Sequence, residues 1–426
     1  MLQTNAPALS GVTAAVMNGF ATAFGKTPST MTTMIRSDPN FLDAKRDWTD
    51  GIWGLASHQR SNGQRYSSRD YVQDTISRGF PLTLSQTSLA TKVMFSNASC
   101  GAKPRATGVS YLFGKSLYKA DPRYNSNNKG ETRIATARKE VIISGGTFNS
   151  PQLLLLSGIG DQEQLKKYDI PVIKHLPGVG NNMQDNQEMP IMGQYKGSSS
   201  FGQGGYIMYK TKHSPDGERD VFLMQGSGFA FRGFWPANQT NNNLPTEPAN
   251  MYGVSLVKNH PQNTKGYVRL KSKDPQDTPA INFMHYAEGK ETDMGAIKDT
   301  IALVRKVYSG VPSPSGPIAS TEPPCPAGPD KDGYCGQADE DWITAQTFGH
   351  HPTSTNPMGR EDNPIAVVDN RFRVHGIAGL RVVDASVFPR IPGIFPVVAT
   401  FMISEKASDV LVEDAKIPST CVFNAP

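Results

Sequence analysis

The sequence predicts a two-domain chain that combines an α/β layer arrangement with an α+β one. Its 426 residues exceed the size of one ordinary domain. Between Val141 and Gly160 a β-branched strand, two glycines and an apolar helix follow one another, the step from which layered α/β domains are built. From about residue 190 to 310, strands and long loops lead into a single helix, as expected of an α+β domain on a mainly antiparallel sheet.

Composition narrows the class further. The formal charge is only +5, 37% of residues are hydrophobic and 19% charged, and 40 glycines and 32 prolines put much of the chain into turns. Dilute charge and dispersed aromatics argue against disorder. No apolar run approaches the roughly 20 residues of a membrane helix, and no basic block or aromatic platform points to nucleic acid. A nucleic-acid partner is therefore not expected. Residues 7–24 are small and apolar without a basic segment before them, which reads as an amphipathic helix and not a secretion signal; nothing assigns a compartment. The cysteines Cys100, Cys325, Cys335 and Cys421 form no CxxC pair, so no zinc or dithiol site of that type, and no other metal site, is expected. Cys325 and Cys335 bracket a Pro/Gly loop, and a small disulfide and two loop thiols are equal readings.

Along the chain, Leu82–Leu84, Ala90–Phe95, Thr107–Leu112 and Arg133–Ile143 read as strands separated by Gly, Asn and Pro clusters. In the next block the strand ends at Ser144, and Gly145-Gly146 permit a tight turn. Ser150 offers an N-cap oxygen with Pro151 at the first helical position. Leu153–Leu156 then make a helix buried on all sides, stopped by Gly158. Gly266–Ser272 alternates as a strand. Asp293–Val307 reads as a helix with Ile297, Ile301, Leu303 and Val304 on its apolar side, and residues 308–336 as a long Pro/Gly/Ser loop. Ile365–Val368 and Leu380–Val383 are β segments. Phe388–Pro396 is a Pro-rich crossing, and the closing helix carries Ile403, Ala407, Val410 and Leu411 at helical spacing.

Common catalytic motifs are missing. There is no GxxxxGK[ST], no HExxH and no GxSxG. Four Gly-x-Gly pairs occur (158/160, 178/180, 202/204, 226/228), none with Gly or Ala at the sixth position, so the chain shows no dinucleotide-binding turn. Of eight histidines most stand alone in polar surroundings, where a solvated side chain is the default. His350-His351-Pro352 differs: it opens a turn with the hydroxyls of Thr353, Ser354 and Thr355, and histidine is the side chain most easily poised as a base near neutral pH.

The run Ser144-Gly-Gly-Thr-Phe-Asn-Ser-Pro-Gln-Leu-Leu-Leu-Leu-Ser-Gly-Ile-Gly160 resembles the second signature of the glucose–methanol–choline (GMC) oxidoreductase family. Leu176-Pro-Gly-Val-Gly-Asn-Asn-Met-Gln-Asp-Asn186 resembles that family's next block. His351-Pro-Thr-Ser-Thr-Asn-Pro-Met-Gly359, Ala366–Asp369, Leu380–Ser386 and Glu405–Ala407 resemble its C-terminal region. The resemblance spans roughly residues 50–414. It implies FAD as cofactor and oxidation of alcohols, with hydride passing from a CH–OH carbon to the flavin. It places the base on His351, with His350 as its neighbour, and the backbone contact to adenine on Val93. Contacts near the ribityl chain and pyrophosphate fall on Asp384 and Ala385, and the passage along the flavin's pyrimidine edge on Phe395 and Pro396.

Two departures accompany the resemblance. The family's second His/Asn falls on Phe395, which neither accepts a proton nor orients a hydroxyl. Family members begin with a strand–GxGxxG–helix unit and a flavin-covering lid, and the chain is expected to start after both, without the N–H groups that hold the pyrophosphate. The expected architecture is an incomplete FAD-binding α/β domain of residues 1–190 and 341–426 with a substrate domain at 191–340. Three functions are compatible: a flavin-dependent alcohol oxidoreductase in truncated form, a flavin-independent cyclase, lyase or isomerase using His351 as acid/base, and a non-catalytic binding protein. Sequons at Asn97 and Asn238 permit glycosylation if the protein is exported.

Overall fold

The computed structural model describes residues 2–5, 9–40, 42–100, 103–198, 201–228 and 248–416. Most of the Asn238 sequon's surroundings, the sequon itself and Cys421 lie outside the described residues. The chain groups into two compact units, one of residues 1–83, 186–262 and 289–349, the other of residues 84–185, 263–288 and 350–426.

The first unit is built on a sheet ordered Ala319–Glu322, Gln187–Gln194, Met251–Lys258, Val221–Ser227, Tyr206–Tyr209 and Gly51–Trp53, all neighbours antiparallel, with Gly202–Gln203 beside Val221–Ser227. Met251–Lys258 is buried along its whole length, as a central strand covered on both faces must be. Helix Gly11–Ala23 buries Val12, Val16 and Phe20, and helix Lys290–Ser309 buries Ile297, Ile301 and Val304. Both sets repeat at three- or four-residue spacing, so each helix turns one apolar stripe inward. At the end of the sheet, Lys258 is fully buried. Its Nζ donates to the Asn259 carbonyl at 2.5 Å and lies 3.5 Å from Asp220 and 4.0 Å from Asp293. In the loop expected at 308–336, Ala319–Glu322 joins the sheet edge and Cys325 and Cys335 are disulfide-bonded. Buried Arg305 fastens that loop through Asp339 and the carbonyls of Pro323 and Gly333.

The second unit holds a parallel pair, Val141–Ile143 with Leu380–Val382, and an antiparallel sheet of Ser88–Cys100, Lys103–Phe113 and Glu131–Thr136. Arg133–Ile143 is thus two strands: a polar break at Arg138-Lys139 lets the first half pair antiparallel and the second parallel. Leu82–Leu84 is exposed coil without a partner strand, and Ile365–Val368 contributes only bridges at Val368. Helix Gly146–Leu156 packs Leu154 and Leu155, both fully buried, into the core with Val93, Val141, Ile143, Val382 and Val387. Gly158 ends it at φ 84°, where a Cβ would lie 2.3 Å from the Pro171 carbonyl. Helix Pro396–Ala415 buries Ala407 and Val410 as its spacing implied.

This grouping differs from the sequence-based division at 190 and 341. Residues 1–83 join the large antiparallel sheet because Gly51–Trp53 pairs with Tyr206–Tyr209 and helix Gly11–Ala23 lies against helix Lys290–Ser309. Residues 263–288 join the other unit because Val268 donates to the Gly180 carbonyl and Met183 to that of Gly266.

Candidate active site

Helix Gly146–Leu156 begins four residues ahead of the N-cap expected at Ser150. Gly146 enters at φ 80°, and Ser150 serves the turn from inside the helix: its Oγ accepts the Gly145 N–H at 2.9 Å and donates to Asp384 Oδ2 at 2.5 Å. Asp384 also accepts the Gly146 N–H at 2.9 Å and the Ser386 N–H at 2.8 Å. Its carboxylate is therefore an internal cap on the helix N-terminus, which favours negative charge. Pro151 sits in the second turn, not the first position.

The segment after His350 is held against this helix. Thr147 Oγ1 donates to the Pro352 carbonyl and Thr355 Oγ1 to the Thr147 carbonyl, each at 2.7 Å. Ser354 N–H donates to the Ala385 carbonyl and Asn356 N–H to that of Ser386. Thr353, Ser354, Thr355 and Asn356 are fully buried. Of the three hydroxyls singled out in sequence, that of Thr355 is thus spent on holding the backbone, and those of Thr353 and Ser354 bond each other at 2.9 Å.

His351 itself is 6% exposed, its backbone N–H donates to Asp185 Oδ1 at 2.8 Å, and its ring Nδ1 is buried without a hydrogen-bond partner. The His350 ring lies 4.3 Å away and the Phe395 ring 5.0 Å away at 54°. Burial, reinforced by His350, lowers the His351 pKa to about 4. The imidazole is neutral near pH 7 and presents an unspent nitrogen, as a base requires. Phe395 is the N-cap residue of helix Pro396–Ala415, which has no side-chain cap; Pro396 has no N–H to leave open, and the N–H groups that follow it in the first turn have no intrahelical partner, as suits a polar or anionic group.

The remaining expected residues are placed less simply. Val93 lies in the core, and its N–H is donated to Ser157 Oγ at 2.8 Å, so the adenine contact implied for it has no unspent N–H to use. Ala90, earlier on the same strand, lines a cleft of about 370 Å³ with Leu89, Val109, Ile142, Leu153 and Leu156. Tyr118, Asn149 and Gln152 form the cleft's polar corner, joined by hydrogen bonds of 2.9–3.1 Å. Ala385 opens the short helix Ala385–Val387, one residue beyond Asp384.

Sequence reasoning missed three residues. Asp185 was quoted only as part of a block, Thr147 carried no chemical signal, and His285 was passed over as a surface histidine. His285 stacks on Phe283 at 5.3 Å and 10°, its Nε2 is buried without a partner, and burial lowers its pKa to about 4. Its flanking aromatics, Phe283 and Tyr286, were the available signal.

Among the described residues, the groups around His351 fit the ring end of a flavin: an imidazole whose Nδ1 has no hydrogen-bond partner and a helix N-terminus without a side-chain cap. The Gly145-Gly146 turn does not offer a diphosphate cradle, since both amides are already spent on Ser150 and Asp384.

Residues 37–188 and 261–404 match the N- and C-terminal models of a family described as GMC oxidoreductase. Curated relatives include an oxygen-dependent choline dehydrogenase of Pseudomonas syringae pv. syringae, 34% identical over 374 residues (82% of this chain, 59% of that protein). Another, from Chromohalobacter salexigens, is 32% identical over 414 residues (90% and 66%). The chain spans about 60% of the length of the curated relatives it matches first. Among solved structures, pyridoxine 4-oxidase from Mesorbium loti superposes with a TM-score of 0.70 at 17% identity, covering 97% of this chain and 72% of that one. A fungal aryl-alcohol oxidase gives 0.68 at 19% identity, covering 97% and 73%. These establish a shared fold. No helix among the described residues is long and apolar enough to cross a membrane.

Proposed function

The chain belongs to the glucose–methanol–choline (GMC) oxidoreductase family, and from that premise we propose that it takes part in flavin-dependent oxidation of a CH–OH group on a small alcohol, with His351 as the base. FAD, when bound, supplies the acceptor for the hydride that leaves the carbinol carbon. His351 takes the hydroxyl proton on its unspent ring nitrogen, so the alcohol loses a proton and a hydride and becomes a carbonyl. Asp185 and the Thr147 clamp hold the backbone that carries the imidazole. Phe395 packs against it, and the N-terminus of helix Pro396–Ala415 would hold a polar part of the cofactor. The unit containing residues 84–185 would carry the cofactor.

One observation supports this reading above the others: a buried imidazole with no hydrogen bond on Nδ1 and a pKa lowered to about 4. The test is an absorbance spectrum of the purified chain with added FAD, followed by turnover on a panel of small alcohols that includes choline. A flavin band and His351-dependent turnover are expected. A colourless protein that oxidises none of them removes the reading.

A second reading draws on the spent Gly145 and Gly146 amides and on Phe395 standing where a second acid/base would be. It is a redox-neutral reaction, a cyclisation, elimination or isomerisation, with His351 as acid/base. FAD-free protein would then turn over, and His351→Ala would abolish that turnover.

A further inference from the structure

Gln184 and Asp185 are consecutive, both nearly fully buried, and reach in different directions. Gln184 forms a two-way backbone bridge with Thr353, its N–H donating at 3.2 Å and its carbonyl accepting at 2.9 Å. Consecutive side chains in an extended segment point to opposite sides. Asp185 accordingly accepts the His351 N–H at 2.8 Å, while Gln184 Oε1 accepts the Ile391 N–H at 3.1 Å. Ile391 belongs to the Pro-rich crossing that delivers Phe395 four residues later. Asn182 supports the same arrangement, its Nδ2 lying within 3.5 Å of the carbonyls of Ser354 and Pro389 and its Oδ1 3.3 Å from Gln184 Nε2.

We infer that Gln184 and Asp185 are a pair of positioning residues: one dipeptide fixes both arms of the site, Asp185 setting His351 and Gln184 setting the loop that ends at Phe395. Neither needs to touch substrate. A rigid segment bridged to Thr353 determines the separation of the two rings, and a small error there costs rate out of proportion to its size. The catalytic part of this inference rests on the proposed function; the positioning part does not.

The test is amide hydrogen exchange read at single residues, with steady-state kinetics on the flavin-loaded protein beside it. Asp185→Ala is expected to speed exchange of the His351 amide about tenfold or more and leave Ile391 within about twofold; Gln184→Leu is expected to do the reverse. Asp185→Asn and Gln184→Glu, which keep an accepting oxygen, are expected to restore protection. Both disruptive variants should lower kcat about tenfold or more while KM changes less than about threefold. If Asp185→Ala does not fold, Asp185→Ser, too short to reach the amide, serves in its place. Loss of protection at both amides in both variants, or at neither, overturns the pair. A wild type that is colourless and inactive with FAD overturns the functional reading alone, because the exchange pattern still decides the positioning.

Discussion

The hydroxyl of Thr355 donates to the Thr147 carbonyl at 2.7 Å, and this is the carbonyl that Pro151, four residues further along the helix, has no N–H to reach. A proline inside a helix ordinarily leaves an acceptor stranded. Here the stranded acceptor becomes the anchor for the segment that carries His351, and Thr147 returns the contact by donating to the Pro352 carbonyl.

Thr355→Val should leave that carbonyl buried and unsatisfied, at a cost of about 1–3 kcal/mol. Adding Pro151→Ala supplies a backbone N–H from the helix and should recover part of the loss. Urea denaturation of the two single variants and the double variant gives the coupling directly. Equal stabilities for Thr355→Val and wild type would show that the clamp is incidental.

His351 and His285 both have pKa values lowered to about 4 in the folded chain, against about 6.5 unfolded. Below pH 6.5 the unfolded chain binds protons that the native state refuses, so each group's contribution is intact above 6.5. It is lost as pH falls from 6.5 to 4, and constant below that. For His351 the loss amounts to about 3 kcal/mol. His351→Gln should flatten part of the acid limb in a stability–pH series, and kcat/KM should stay level from pH 8 to 5 as far as this group is concerned. A midpoint near 6.5 for the His351 ring in an NMR titration contradicts the burial described.

Lys258 carries one positive charge between Asp220 and Asp293, all three fully buried. Burial raises the Asp293 pKa against the opposing pull of Lys258, so its ionised form is the strained one, and its stabilising effect declines as pH rises through that value. Lys258→Met strands two carboxylates and should cost about 3–5 kcal/mol. Asp293→Asn should cost less than about 1 kcal/mol, because Asn still accepts the Gln262 N–H and Gln187, which now donates to Asp293, has a buried Oε1 without a partner. Thermal melts at neutral pH separate the two. A neutral Lys258→Met would mean that the unit tolerates the uncompensated carboxylates.

The disulfide between Cys325 and Cys335 spans ten positions, and Arg305 with Asp339 holds the same loop independently. Reduction, or Cys325→Ser with Cys335→Ser, should therefore cost no more than about 3 kcal/mol and open the loop to protease before the unit as a whole. Arg305→Leu should do more damage, since it leaves the buried Asp339 carboxylate uncompensated. Limited proteolysis with mapped cut sites distinguishes local opening from global unfolding.

Much of the layered unit could be read from the chain because its signals are local. The β-branched run at Val141–Ile143, the leucines after Pro151 and the Gly158 stop each act within a few residues. The start of the Gly146–Leu156 helix could not be read the same way: Ser150 looks like a cap in sequence, but the group that fixes the turn is Asp384, 238 positions beyond Gly146. The partition of the chain was hidden for a similar reason, since only pairing shows that Gly51–Trp53 belongs beside Tyr206–Tyr209. His351 stands out in the sequence through the family resemblance. Its support was not, because a backbone N–H accepted by a carboxylate 166 residues away leaves no mark on either residue's identity.

Asp384 has one more implication. Ser150 and the Asp384 carboxylate behind it already satisfy the two amides at the head of the Gly146–Leu156 helix, so any anionic guest drawn to that corner competes with a tether that is always present at an effectively unlimited local concentration. Neutralising the tether through Asp384→Asn would weaken the fold and, at the same stroke, make the corner more hospitable to phosphate: stability and anion affinity are set against each other in a single side chain.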